Sequence, residues 1–399
     1  MLDCPAIEGG TPVRAKDRFL VFGAPDLGEA EIAGVVDCMR RRWIGTGPKT
    51  QQFERDFAAY KGSPHAVAVG SCTAALHLSM LALGIGPGDE VITTSMTFAS
   101  SVTSIVHTGA TPVLVDCDPT TGNITAEAIA DRITERTKAV LVVHLYGRSC
   151  EMAAIAALTH RQGLLLIEDC AHAIETRYRD QPAGTFGDVG CFSFYVTKNI
   201  TTGEGGMILT ADEALASRIK ILALHGMSRD AWKRFSDEGY RHYEVVEAGW
   251  KYNMTDMQAA IGIEQLKRVE PLWQRRQEVW EQYDTAFADL PCRLPAAPSP
   301  GSRHAYHLYT PLLDLEQLRV SRDHVLAALT AENIGVGVHY LPVHGHPYYR
   351  RTLRSNVQYP NAERIGRRTL SLPLAGNLDE DDVDAVCTAF RRVLTYYHA

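Results

Sequence analysis

Lys198 closes an apolar, aromatic run, Gly190-Cys-Phe-Ser-Phe-Tyr-Val-Thr-Lys198, and a loop carrying Gly203, Gly205 and Gly206 follows it. Most lysines belong to polar surfaces; this one is written into a strand-like context. An amine held in an apolar pocket is desolvated, its pKa falls, and it becomes a nucleophile toward an aldehyde. Upstream, the run Leu164-Leu-Leu-Ile-Glu-Asp169-Cys-Ala places Asp169 where a very apolar strand leaves its sheet. A carboxylate there needs a cationic partner. A protonated pyridine nitrogen is such a partner, and the acid then keeps the ring an electron sink. Earlier still, Gly70-Ser71-Cys72-Thr73 turns from a strand into a helix. Free amides, the positive end of the helix and the hydroxyls of Ser71 and Thr73 make that turn an anion site. Each feature alone has an ordinary alternative: an N-cap for Ser71, Thr73 or Asp169, and a surface amine for Lys198. A phosphate turn, then an acid, then a lysine, in that order, points to pyridoxal phosphate (PLP) carried as a Schiff base on Lys198.

The elements that must position these residues alternate. A helix over 27–42 has Ile32, Val35, Val36 and Met39 on one apolar stripe. Strands follow at His65–Val69, Glu90–Thr94, Thr111–Val115, Ala139–His144 and Leu164–Glu168, with helices between them, such as Ala74–Leu83 and Phe98–His107. β-branched runs separated by helices predict a mainly parallel sheet covered on both faces, a three-layer α/β/α domain. The rhythm breaks after Gly249. Thr255-Asp-Met-Gln258 is a capping box that opens a helix, and Pro271 begins another, ending near Leu290. A proline-rich connector spans Pro291 to Pro300. A strand-like His307–Leu313, a helix over Ser321–Glu332 and a last helix over Glu380–Tyr397 predict a smaller α+β unit. The expected division is a large PLP-binding domain over 1–270 and a small C-terminal domain over 271–399.

Composition narrows the function classes. The 399 residues are 45% hydrophobic and 22% charged with a net charge of -7, an ordinary globular balance without the clustered basic residues that nucleic acid requires. The basic run Arg40 to Arg42 ends a helix and reads as a solvated face. No segment has the length and apolarity of a membrane span, and the start has no secretory pattern. The nine cysteines are scattered without a Cys-x-x-Cys pair, which suits reduced thiols in a cytoplasm better than a disulfide frame or a metal site. No dinucleotide fingerprint or Walker loop occurs in a strand–helix context.

The chain resembles the nucleotide-sugar aminotransferases of the DegT/StrS type, a branch of the fold-type I PLP enzymes, over nearly its whole length. The likeness rests on Trp43-Ile-Gly-Thr-Gly-Pro48, Cys72-Thr-Ala-Ala-Leu-His77, Gly88-Asp-Glu-Val-Ile92 and Thr97-Phe98. It continues through Glu168-Asp-Cys-Ala-His172, Phe192-Ser-Phe194, Lys198 with Gly203-Glu-Gly-Gly206, Gly249-Trp-Lys-Tyr-Asn253, His339-Tyr340 and Leu370-Ser-Leu-Pro-Leu374. The resemblance implies that Lys198 bonds the cofactor and later moves the proton. It implies that Asp169 pairs with the pyridinium, that Phe98 stacks on the ring, and that His172 lies beside it. The backbone at Ser71, Cys72 and Thr73, with the Ser193 hydroxyl, would hold the phosphate. Lys251 and Asn253 would reach the phosphate of a neighbouring subunit, so that a homodimer shares its active sites. Trp43, Thr46, Arg229, His339, Tyr340 and His344 would meet the nucleotide sugar or the amino donor, glutamate. For the histidines an ordinary hydrogen-bonded structural role is the alternative. Two departures stand out: many relatives have Gly where Cys72 stands, and many read Asn-Tyr-Arg where this chain has Lys251-Tyr-Asn253. The implied reaction is amination at C4 of a nucleotide-linked 4-keto-6-deoxy sugar. The rivals are a PLP-dependent sugar dehydratase, which replaces the lysine, and a non-catalytic binding protein on the same fold.

Overall fold

The computed structural model describes residues 4–228, 243–353 and 357–399. Its centre is a seven-stranded sheet of β1 His65–Val69, β2 Glu90–Thr94, β3 Thr111–Val115, β4 Thr137–Val143, β5 Leu165–Asp169, β6 Val189–Ser193 and β7 Gly206–Thr210. The order is β1-β7-β6-β5-β4-β2-β3. β7 runs antiparallel to both neighbours, and every other pair is parallel. Strands β2, β6 and β7 are buried along their whole length, because helices cover both faces. That is why their residues form continuous apolar runs instead of alternating.

The covering helices are α1 Glu29–Arg40, α2 Pro48–Lys61, α3 Cys72–Ala82, α4 Ala99–His107, α5 Ala126–Ala130, α6 Met152–Gln162, α7 Glu213–Ala223 and α8 Asp256–Lys267. α8 starts with the expected capping box, in which Thr255 and Gln258 each satisfy the other's backbone. The long α9, Val269–Phe287, leads into the C-terminal unit, which holds α10 Arg322–Ala331, α11 Pro347–Thr352, α12 Pro360–Arg368 and α13 Glu380–Tyr397. Only Leu312–Leu313 of the expected strand near 307–313 is regular. Its upstream half, from Ala305 to Leu308, instead bonds to Tyr146 and Gly147 of the sheet domain. The proline-rich connector is pinned by Arg148, which donates to the carbonyls of Ala296 and Ala297.

The stripe on α1 behaves differently from a core-facing one. Ile32 and Met39 are 53% and 60% exposed, while Glu31 and Cys38 are the buried positions. α1 packs on α8 through its small side, where Gly34 meets Ala260, and the larger apolar residues face outward. Among the described residues, no helix is long and apolar enough to cross a membrane.

The C-terminal unit has its own apolar core, built by α9, α10 and α13 around Tyr283, Phe287, Tyr309 and Phe390, and Leu20 of the N-terminal segment belongs to it. That segment is tied down by one buried acid. Glu332 accepts N–H bonds from Ala6 at 2.9 Å and Val13 at 2.8 Å, and pairs with Arg392 at 3.0 Å. Replacing Glu332 by Ala should therefore cost about 3 kcal/mol, since it orphans two amides and takes the carboxylate away from the Arg392 guanidinium, which also donates to the Thr11 carbonyl. Equilibrium urea unfolding measures this, and a loss below about 0.5 kcal/mol, the range of a neutral surface change, would show that the N-terminal segment is held by other means.

Candidate active site

The strand ends bring the chemistry together. In an open α/β sheet, ligands bind beyond the carboxyl ends of the strands. Here β1 runs out into the Gly70–Thr73 turn, β5 ends on Asp169, and β6 ends on Ser193, five residues before Lys198. The antiparallel β7 starts at the same edge, with Gly206 opposite both Val69 and Ser193. A Cβ on Gly206 would lie 2.5 Å from the carbonyl group of Ser71 and 2.8 Å from the Cys72 nitrogen. Only a residue without a side chain lets the lysine loop back directly onto the turn.

At the turn, Ser71 caps α3 by accepting the Ala74 N–H at 3.1 Å. The amides of Cys72 and Thr73 belong to the first helical turn and have no acceptor among the described residues. These two donors and the helix dipole form an anion cradle that is complete in the backbone. The substitution of Gly by Cys72 leaves it intact.

Asp169 is buried. Its Oδ2 accepts from the Ser101 hydroxyl at 2.8 Å, its Oδ1 accepts from the Ala171 N–H at 3.1 Å, and the Cys72 thiol lies 4.0 Å from Oδ1. Burial pushes its pKa up, while Ser101, Ala171 and the Lys198 charge pull the other way. Burial also pushes the Lys198 amine down to about 8, against the attraction of Cys72 and Asp169. Roughly a tenth of such an amine is neutral at pH 7, against well under 0.1% of an exposed lysine. No hydrogen-bond partner holds the Lys198 Nζ among the described residues. The side chain is thus a desolvated nucleophile within the field of a buried acid.

His172 follows Asp169 on the same loop. Its Nδ1 accepts the Tyr146 N–H at 3.2 Å, and its Nε2 lies 3.0 Å from the Tyr340 hydroxyl. Its ring also stacks on His307, with centroids 4.4 Å apart. Burial and the Lys198 charge hold both histidines well below the usual range, so they are neutral. Phe98 is 57% exposed at the mouth of this cleft, with its ring 5.8 Å from that of Tyr340. His339 bonds Ser371 at 2.7 Å, stacks on Phe22 and is pushed down to about 4 by burial and by Lys198. Ser193 is buried at the end of β6 and accepts the Tyr195 N–H at 3.3 Å.

Other expected residues form a second group. Asn253 pairs in a β-bridge with Val69, donates to the Thr46 hydroxyl at 2.6 Å and accepts from Lys251 at 2.6 Å. The Trp43 indole donates to the Thr46 carbonyl at 3.2 Å. Trp43, Thr46, Lys251 and Asn253 thus lie together beside β1, at the exposed rim of their own chain. His344 does not join the Lys198 cluster. It faces Glu363 at 3.5 Å and the Tyr359 ring in the C-terminal unit, because the backbone after Pro342 turns away into α11 and α12. Arg229, with the rest of the Ser228–Trp232 segment beyond Ser228, lies outside the described residues.

Sequence reasoning missed Ser101, Tyr146, Asn199 and His307. Only Asn199 carried a signal, its place beside Lys198. His144, Glu168 and Cys170 present ligand atoms within 4.8 Å of one another. The Glu168 oxygens, however, already accept from the amides of Gly184, Phe186 and Gly187 and face His144 at 3.0 Å. That acid is saturated and holds the loop before β6 under the sheet.

A sequence model of the DegT/DnrJ/EryC1/StrS aminotransferase family matches residues 25–391. The chain belongs to that family. It is 47% identical over 384 residues to the spore coat polysaccharide biosynthesis protein SpsC of Bacillus subtilis, covering 96% of this chain and 99% of SpsC. Spr1654 of Streptococcus pneumoniae, solved in PMP and PLP forms, matches with TM-score 0.88 and 32% identity. In the PLP form the match covers 96% of this chain and 100% of Spr1654. DesI, solved in the presence of its TDP-sugar product, matches with TM-score 0.86 and 30% identity over 98% of this chain and 97% of DesI. The architecture is the fold-type I aminotransferase one, and the cofactor of this family's aminotransferases is PLP. The residues present fit that group: two free amides for a phosphate, a buried carboxylate for a ring nitrogen and an unpartnered, desolvated amine for an aldehyde.

Gly206→Ala should weaken PLP binding to the apoprotein by roughly tenfold or more, which is about 1.4 kcal/mol or more. The added methyl must displace the turn that carries the free amides. Absorbance titration with PLP reads this, and unchanged affinity in a folded variant would show that the turn does not hold the cofactor.

Proposed function

We propose that this aminotransferase takes an amino group from glutamate and delivers it to the keto group of a nucleotide-linked keto-sugar, at C4 of a 4-keto-6-deoxy hexose. The observation that carries the reading is the meeting of Lys198, Asp169 and the Cys72–Thr73 amides at one edge of the sheet. The sugar and the nucleotide are supported by DesI and its TDP-sugar product, and by the polysaccharide pathway for which SpsC is named. When bound, PLP supplies an electron sink next to the amine-bearing carbon.

Each residue then has a defined task. Lys198 would hold the cofactor through Nζ, and the same nitrogen would serve to move a proton; its lowered pKa suits both tasks. Asp169, whose burial is opposed by hydrogen bonds from Ser101 and Ala171, would pair with the ring nitrogen. Ser71, Cys72, Thr73 and Ser193 would bind the phosphate, and Phe98 and His172 would hold the ring. Trp43, Thr46, His339, Tyr340 and the uncharted Arg229 are assigned to substrate; His344 is left to the C-terminal unit. A dehydratase reading is disfavoured by the retained lysine, and a mere binding protein by the retained acid–lysine pair.

The outward stripe of α1 supports a homodimer. Phe19, Val21, Leu27, Ile32, Met39, Trp43 and Ile44 are all exposed, a concentration of large apolar side chains within one short stretch of chain that suits burial against a partner. Lys251 and Asn253 sit at this rim, which suits them to contribute to the partner's phosphate site. The nine free cysteines suit a reducing cytoplasm.

Three experiments test these points. UDP-, dTDP- and GDP-linked keto-sugars, incubated with enzyme, PLP and glutamate, should include one that yields an amino sugar together with 2-oxoglutarate. Lys198→Ala should lose the visible absorbance of lysine-bound cofactor along with turnover, and an active Lys198→Ala enzyme would overturn the mechanism. For the shared site, Lys198→Ala is mixed with an inactive Lys251→Ala/Asn253→Ala variant under subunit exchange. Shared sites predict recovery of about a quarter of wild-type activity, because half of the dimers are mixed and each then has one intact site. No recovery despite demonstrated exchange would place Lys251 and Asn253 in the same site as their own Lys198.

A further inference from the structure

A small cavity lies at the seam between the sheet domain and the C-terminal unit. Tyr146 belongs both to it and to the cleft: it lines the cavity, while its N–H and hydroxyl hold His172 and the His339 carbonyl. The cavity volume is about 40 Å³, room for about three waters and so for one small ion. Arg148 lines it and is only 8% exposed. Its Nη2 donates to the carbonyls of Ala296 and Ala297; the Nε and Nη1 hydrogens have no acceptor among the described residues. The other buried arginine, Arg276, has Glu175 beside it. Arg148 has no carboxylate within ion-pair distance among the described residues. Burial lowers its pKa, while Glu151 and Asp118 attract it from farther away. Both acids are engaged elsewhere: Asp118 accepts the Thr120 and Thr121 amides, and Glu151 the Tyr178 and Ser299 hydroxyls.

The neighbours of Arg148 add further donors. His304 Nδ1 accepts the Tyr306 N–H at 2.8 Å. Burial and the Arg148 charge push that ring down to about 3, so it is neutral and carries its proton on Nε2. That Nε2 has no acceptor among the described residues, and neither has the Thr310 hydroxyl; both residues are buried and line the cavity. Arg293 also borders it, with Nη2 donating to the Thr120 hydroxyl at 3.0 Å. Trp280 and Ile365 supply apolar wall. A buried guanidinium among free donors lacks one thing, an acceptor that bears negative charge.

We propose that this cavity binds one monovalent anion of about the size of chloride, held by Arg148, His304 and Thr310. The ion neutralises the guanidinium that joins the Leu145–Gly147 turn to the proline-rich connector. It thereby ties the C-terminal unit to the back of the cleft. Water satisfies the donors but leaves the charge uncompensated, and the space is too small for a sugar or a nucleotide.

Two measurements on the PLP-loaded enzyme test this. An anomalous difference map from crystals soaked in sodium bromide should show an ion within hydrogen-bond reach of the Arg148 Nη1 and the Thr310 hydroxyl. Thermal unfolding midpoints are then compared in sodium chloride and sodium gluconate at equal ionic strength, so that general screening cancels. At roughly tenfold excess over its dissociation constant, chloride should raise the wild-type midpoint by about 2 °C relative to gluconate, and the shift should saturate. Thr310→Val leaves the Arg148 bonds to the connector in place and should reduce the shift to about half or less. Arg148→Met should abolish it; if that variant does not fold, Thr310→Val decides alone. Solvent only at this position in the bromide map would overturn the proposal. A bromide peak without a saturating chloride-specific shift would do the same, as binding at crystal concentration only. An equal shift in wild type and variants would place the ion elsewhere and also overturn it.

Discussion

Burial of an acid and an amine at one edge of the sheet is the constraint on which the rest of this molecule turns. Neither Asp169 nor Lys198 is tolerable in an apolar interior without compensation. Asp169 receives it from a hydroxyl, an amide and a thiol, supplied by α4, its own loop and the start of α3. The Lys198 Nζ has no hydrogen-bond partner among the described residues, and burial lowers its pKa. The asymmetry is useful. The acid is held still by its hydrogen bonds, and the amine is left without one among the described residues.

The topology makes that arrangement possible. Three strand ends open at the same edge, and the antiparallel β7 returns there between β1 and β6. Gly206 allows β7 to lie directly against the Ser71–Cys72 backbone. Anion cradle, acid and amine therefore meet at one edge of the sheet, with the lysine loop held against the turn. Around it, neutral histidines line the cleft: burial, reinforced by the Lys198 charge, holds the stacked His172 and His307 well below the usual range. Polar contacts in this cleft are thus set by tautomer more than by charge.

The outer shell has a different logic. Glu168 beneath the sheet, Glu175 behind the lysine loop and Glu332 in the C-terminal unit are three buried acids, each with several donors. Each joins segments far apart in sequence, which local propensity could not bring together. Breaking such a hub removes more than one bond at once.

The sheet was legible in the sequence because its strands are buried on both faces, so they are continuous β-branched runs between helices. The strands His65–Val69, Glu90–Thr94 and Thr111–Val115 and the last helix Glu380–Tyr397 have the bounds expected of them. Lys198, Asp169 and the Ser71–Thr73 turn were legible because a charged residue at the end of an apolar run is costly without a purpose. Local pattern did not tell which way a stripe faces. Ile32 and Met39 have helical spacing but point outward, since α1 packs through Gly34 on α8. Nor could spacing separate His172 from His344: one lies on the strand-end loop, the other on a chain that has turned away to Glu363. Ser101 and His307 joined the site only through contacts across dozens of residues of chain. The sequence by itself determined the elements and the groups that bear charge, because those depend on neighbours along the chain. The tertiary structure alone decided which neutral polar groups meet them, because hydrogen-bond partners and histidine tautomers are set by neighbours in space.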